Sequence, residues 1–224
     1  HKISKFNQSL QLLLTLGDGN PSERESGYPF NRPTDITINK TNGDIFISDG
    51  YGNSRIHHYD SEGKHIKSWG ESGTQPGQFS LPHNLCMISA DELIVCDREN
   101  HRVQIFSTSG EFIKEWHVHK ATAVTCDDEG KIYIAEQGPP PVQYGVKNLG
   151  HSVGIWNKEG DLLERIGSEL PGEEADQFLW PHSISVDSKG RIFIAEVSYV
   201  EVGRTLSPPR EMTSFRVWEP LSYN

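Results

Sequence analysis

Two histidines recur in one short setting, Leu81-Pro82-His83 and Trp180-Pro181-His182. A catalytic zinc takes three protein ligands, imidazole common among them, and leaves its fourth position to water or substrate. A lone histidine is more often a satisfied structural residue. Two at one repeat register make His83 and His182 candidate metal ligands. Other chemical patterns are weaker. Gly150-His151-Ser152-Val153-Gly154 fits G-x-S-x-G, but a nucleophile elbow needs a strand-turn-helix setting, and this segment falls in a repeat strand. His57-His58 and His117-Val118-His119 lie on outer strands by repeat alignment, where solvated edge residues are expected. Asp49, Asp97, Glu136 and Glu196 share one register. Recurrence in every repeat points to carboxylates that accept turn N–H bonds.

The elements that must position these residues follow from an internal repeat. One unit recurs from His1, Asn53, Asn100 and His151, each copy two alternating strands around a polar turn. Another recurs from Pro33, Pro82, Ala121 and Pro181, again with period-2 apolar residues around Asn, Asp and Gly. Joined, they form four-stranded modules of roughly 40 to 50 residues, the radial repetition of a β-propeller. The expected fold is all-β, a single propeller domain over 1–224. Blades are placed at 31–80, 81–120, 121–180 and 181–224, with the outer half of a further blade in 1–30. The inner half of that first blade, a further blade and the outermost strand of the last are not visible, so about four and a half blades are read. First strands of propeller blades line the central channel, so Thr34, His83, Thr122 and His182, which share one register, are expected to face one axis. A third metal ligand would come from the first blade. Two connections break the period, 137–150 and 200–210, and long loops on a rigid scaffold often carry specificity.

Composition agrees with this reading. The 224 residues include 21 Gly and 13 Pro, and only 34% are hydrophobic, which suits many turns between short strands. A net charge of −10 argues against a nucleic-acid partner. No apolar run reaches the ~20 residues needed for a membrane span, and the first residues lack the pattern of a signal peptide. A monomer is expected. Cys86, Cys96 and Cys126 have no C-x-x-C spacing. Cys86 and Cys96 fall on neighbouring strands of one hairpin, either as a disulfide or as two buried thiols.

The segments from Asn31 to Ile56, from Pro76 to Leu85 and from Cys96 to Phe106 resemble the peptidyl-α-hydroxyglycine amidating lyases, which are zinc enzymes on six-bladed NHL propellers. The resemblance covers nearly the whole chain. It implies a lyase that cleaves a peptidyl-α-hydroxyglycine into a peptide amide and glyoxylate, with a peptide or small amide as substrate. Two of the family's three zinc histidines match His83 and His182. The family's catalytic tyrosine matches Tyr51, and a substrate-binding arginine matches Arg98. An extracellular or periplasmic location is implied by the family alone. Ser183 and Trp180 depart from the family pattern, and the acidic residue replaced by Ser183 helps hold a structural calcium, so calcium is not counted on. Read without catalysis, the same chain is an NHL scaffold that binds a protein or glycan partner. A calcium-dependent lactonase would need acidic and Asn ligands at the register that carries histidine.

Overall fold

A computed structural model describes residues 1–25 and 30–219. The described residues form two compact units, His1–Trp116 and His117–Asn224. Both are all-β, and each is built of antiparallel meanders whose strands pair in chain order, as in propeller blades.

In the first unit, β1 (Ile3–Phe6) and β2 (Leu12–Leu16) make a two-stranded sheet. The strands β3 (Asp35–Ile38), β4 (Ile45–Asp49), β5 (Arg55–Tyr59) and β6 (His65–Trp69) form one four-stranded blade. A second comprises β7 (Pro82–Met87), β8 (Glu92–Asp97), β9 (Arg102–Ser107) and β10 (Phe112–His117). The second unit holds β11 (Ala121–Cys126), β12 (Ile132–Glu136), β13 (His151–Trp156) and β14 (Leu162–Ser168) in a third blade. It also holds a three-stranded sheet of β15 (Pro181–Val186), β16 (Ile192–Glu196) and β17 (Phe215–Trp218).

The second strands β4 and β12 are buried along their whole length, which is why they read as near-continuous apolar runs. The outer strands β6 and β10 are mostly half-buried or exposed. In the first unit Phe46, Trp69, Phe79, Leu85, Val95 and Phe106 pack one blade against the next. In the second, Tyr133, Val153, Phe178, Ile184 and Ile194 do the same. The hairpin turns are closed by side chains: Asp60 accepts from the N–H groups of Glu62 and Lys64, and Asp127 and Asp187 repeat the device. This is the reason for the Asp and Gly punctuation of the repeat.

The expectation of solvated histidines at 57 and 58 is corrected. They are 0% and 8% exposed, because β5 is a third strand flanked by β4 and β6 rather than an edge. His57 lies between Asp49 (3.3 Å) and Ser68 (2.8 Å), and His58 meets Asp44 at 2.8 Å while stacking on Phe46. The G-x-S-x-G segment runs into the buried strand β13, so it is no elbow. Cys86 and Cys96 form no disulfide. Among the described residues no helix is long and apolar enough to cross a membrane.

Candidate functional site

The shared carboxylate register is the scaffold of the site. Asp49 accepts from the N–H of Asn31 (2.8 Å), Asp97 from Ser80 (2.7 Å), and Glu196 from Leu179 (2.5 Å) and Trp180 (2.8 Å). Each carboxylate thus ties the end of a second strand to the loop that leads into the first strand of its own blade. Arg102 and Arg216 complete the clamps on Asp97 and Glu196, both at 2.8 Å. Burial holds the Asp97 carboxyl above its usual range despite these donors.

The loops so anchored deliver the register residues at β-bulges. The ladder between β7 and β8 shifts between Pro82 and Asn84, so His83 has no opposing residue. The same shift isolates Thr122 in β11 and His182 in β15. Bulges of this kind turn one side chain out of the regular alternation.

In the first unit three of the residues singled out above come together. Tyr51 follows β4 after Gly50, and its hydroxyl lies 2.9 Å from His83 Nε2, with the two rings edge to face at 5.5 Å. Arg98 follows β8 directly and sets its guanidinium carbon 5.8 Å from the centre of the Tyr51 ring. The backbone N–H groups of Arg98 and Glu99 are held by the carbonyls of Leu81 and Ser80, which fixes this corner to the loop before His83. The imidazole is buried, at 4% exposure, whereas Tyr51 is 47% exposed. An open phenol therefore stands over a closed imidazole. Arg98 also pairs with Glu99 at 2.8 Å. Beside Tyr51 opens a cleft of about 340 Å³, whose walls include Arg24, Ser72, Thr74, Glu99 and Asn100.

His182 stands half-buried at the head of β15 in the second unit. At the place that Tyr51 takes after β4, the third blade has Gly138 after β12, packed on the buried His151 ring. Burial, with His119 nearby, lowers the His151 pKa to about 4. The site also includes a residue that sequence reasoning passed over. Asp35, next to Thr34, accepts from Asn84 Nδ2 (2.5 Å) and the Leu85 N–H (3.1 Å), so it grips the strand that carries His83. Its burial pushes its carboxyl up to about 6.

The NHL repeat model matches residues 30–59 and 79–106, two stretches that centre on the two blades of the first unit. The chain is an NHL-repeat protein. Among curated relatives it is 46% identical over 200 residues to peptidylglycine alpha-amidating monooxygenase of Rattus norvegicus, covering 82% of this chain and 19% of that protein. It is 31% identical over 243 residues to peptidyl-alpha-hydroxyglycine alpha-amidating lyase 1 of Drosophila melanogaster, covering 96% of this chain and 43% of the relative. It is 29% identical over 220 residues to NHL repeat-containing protein 3 of Homo sapiens, covering 90% and 58%. The NHL-repeat chain thus spans between about a fifth and three fifths of the length of these relatives.

Proposed function

We propose that this NHL-repeat protein is a zinc-dependent lyase that cleaves a peptidyl-α-hydroxyglycine into a peptide amide and glyoxylate. The observation that carries the reading is the convergence of Tyr51, His83 and Arg98 on one corner of the first unit. Similarity to a protein named as a peptidyl-α-hydroxyglycine lyase supports the same chemistry.

His83 and His182 are the residues that would hold zinc, as imidazole donors, although among the described residues no group of three His, Cys, Asp or Glu side chains is gathered as a metal site. Both are imidazoles, and His83 Nε2 already meets a polar atom at 2.9 Å at the end of a buried ring. When bound, zinc supplies a Lewis acid that lowers the pKa of a hydroxyl. His83 and His182 would hold the metal, and the Tyr51 hydroxyl, 2.9 Å from His83 Nε2, stands beside that position. As its phenolate, Tyr51 would accept the proton of the substrate hydroxyl and pass it on to the leaving nitrogen. The C–O bond becomes C=O as the C–N bond breaks, and the electron pair leaves on nitrogen, which takes a proton to give the amide. Arg98 offers a planar fork to the substrate carboxylate, with Glu99 as the partner it leaves. The cleft beside Tyr51 has room for the peptide side of the substrate. The reading carries with it an extracellular or periplasmic setting.

Metal analysis and a glyoxylate assay test this together. The wild-type protein is expected to retain zinc and to release glyoxylate from a blocked α-hydroxyglycine peptide, while His83→Ala and His182→Ala lose both. A zinc-free protein, or one whose zinc survives both substitutions, contradicts the proposal and leaves a binding scaffold for a protein or glycan.

A further inference from the structure

The two threonines that share the histidine register make the same contact in each unit. Thr34 Oγ1 lies 2.8 Å from Ser48 Oγ, 2.9 Å from the carbonyl oxygen of Pro82 and 3.2 Å from that of Ser48. Thr122 Oγ1 lies 3.1 Å from the carbonyl oxygen of Pro181 and 3.1 Å from that of Ala135. Ser48 and Ala135 are equivalent, since they pair with Asp35 and Ala123, the residues that follow the two threonines. Each hydroxyl therefore bridges the second strand of its own blade and the proline carbonyl that immediately precedes the histidine of the next blade.

That carbonyl belongs to the peptide that enters the bulge: Pro82 and Pro181 pair with Asp97 and Glu196, and the register then passes over His83 and His182. Leu81, just before Pro82, has a left-handed backbone at φ 69°, so the approach to His83 is not regular strand either. A hydroxyl donor aimed at the Pro–His peptide adds a hold on it from the neighbouring blade. In the first unit a second feature helps: a Cβ on Gly50 would lie 2.1 Å from the Pro82 oxygen, so only a bare backbone lets the two strands approach. The third blade has Gln137 at the equivalent place. The threonine is thus the part that both units share.

We propose that Thr34 and Thr122 are positioning residues for His83 and His182, holding the Pro–His peptide so that each imidazole is presented in one orientation. The inference rests on the reading of these histidines as metal ligands. Thr and Val differ by a hydroxyl against a methyl at similar volume, so Thr34→Val and Thr122→Val remove the hydrogen bond with little change in packing. Thr34→Ser and Thr122→Ser restore it.

The test uses the full chain, with zinc alone titrated against a chelator and with histidine-ring NMR on the metal-free protein. Zinc affinity is expected to fall about 10-fold or more in each Val variant and to recover in the Ser variants. In the metal-free protein Thr34→Val should shift the His83 ring resonances and Thr122→Val those of His182, with His57 and His58 as unmoved controls. If the Val variants lower the melting temperature but leave both zinc affinity and ring resonances as in the wild type, the threonines are plain staples between blades and the proposal is overturned. If the wild type binds no zinc, the metal reading fails by itself. The ring shifts then still decide whether the threonines orient the histidines.

Discussion

The two units use one framework and differ in what they mount on it. In both, a buried carboxylate at the end of a second strand ties down the loop before a first strand, and a threonine reaches the proline carbonyl before a histidine. In the first unit the residues just past those second strands are Tyr51 and Arg98, which meet beside His83. In the second they are Gln137 and Gly138, then Val197 and Ser198 after β16, which offer neither phenol nor guanidinium. A repeat can thus hold its geometry with residues that hardly vary, while its chemistry is set by one or two positions beyond the strand end.

The shared framework is the place where the largest effect is expected. Asp97→Ala takes from the buried Arg102 one of its two carboxylates, Glu115 remaining at 2.9 Å, and Glu196→Ala takes from Arg216 the carboxylate at 2.8 Å. Each also removes the acceptor of the turn N–H groups and should destabilise its own unit by about 3 kcal/mol, measured by denaturant unfolding. A loss confined to one of the two would break the claim of a common clamp.

The chemical difference comes next. Tyr51→Phe keeps the ring and removes the hydroxyl, so kcat for glyoxylate release is expected to fall by about 100-fold or more with KM little changed. A variant with undiminished kcat would place the base elsewhere. Gly138 shows why the second unit does not copy the arrangement. A Cβ there would lie 2.5 Å from the His151 ring, so Gly138→Ala should cost about 1 to 3 kcal/mol by overpacking. A neutral result in thermal unfolding would mean that the loop over 137–150 yields freely.

The smallest effect is electrostatic and concerns Asp35, whose place in the second unit is taken by Ala123. The folded Asp35 carboxyl titrates at about 6, above its ordinary value of 3.8. Between these values the folded state holds a proton that the unfolded chain has released. Stability therefore falls as pH rises from about 4 to 6, and is free of this penalty below the lower value. Asp35→Asn should flatten the profile of unfolding free energy over that range. An unchanged slope would mean that Asp35 is better solvated than its burial indicates.

Much of the fold was legible because apolar runs such as Ile45–Asp49 and Ile132–Glu136, each buried as one whole strand, recur between Asp- and Gly-bearing turns. The carboxylate register was legible too, since a residue repeated in every blade must answer a need that every blade has. His57 and His58 were misjudged because the repeat fixes chain order but not which strand is covered on both faces. The pairing of Tyr51 with His83 spans 32 positions and left no mark in composition, so it came from resemblance and was seen as a contact only in three dimensions. Asp35 and the threonine contacts were missed for a related reason. Their partners are main-chain groups and an amide on another blade, and such targets leave no residue type to search for.

The central claim is that His83 is a metal ligand beside a catalytic phenol. X-ray data collected at the zinc edge from zinc-loaded crystals test it directly. The account predicts an anomalous peak about 2.1 Å from His83 Nε2, with the Tyr51 hydroxyl turned off that nitrogen. Zinc bound away from His83, or a Tyr51 hydroxyl still seated on Nε2 in the loaded protein, would contradict it.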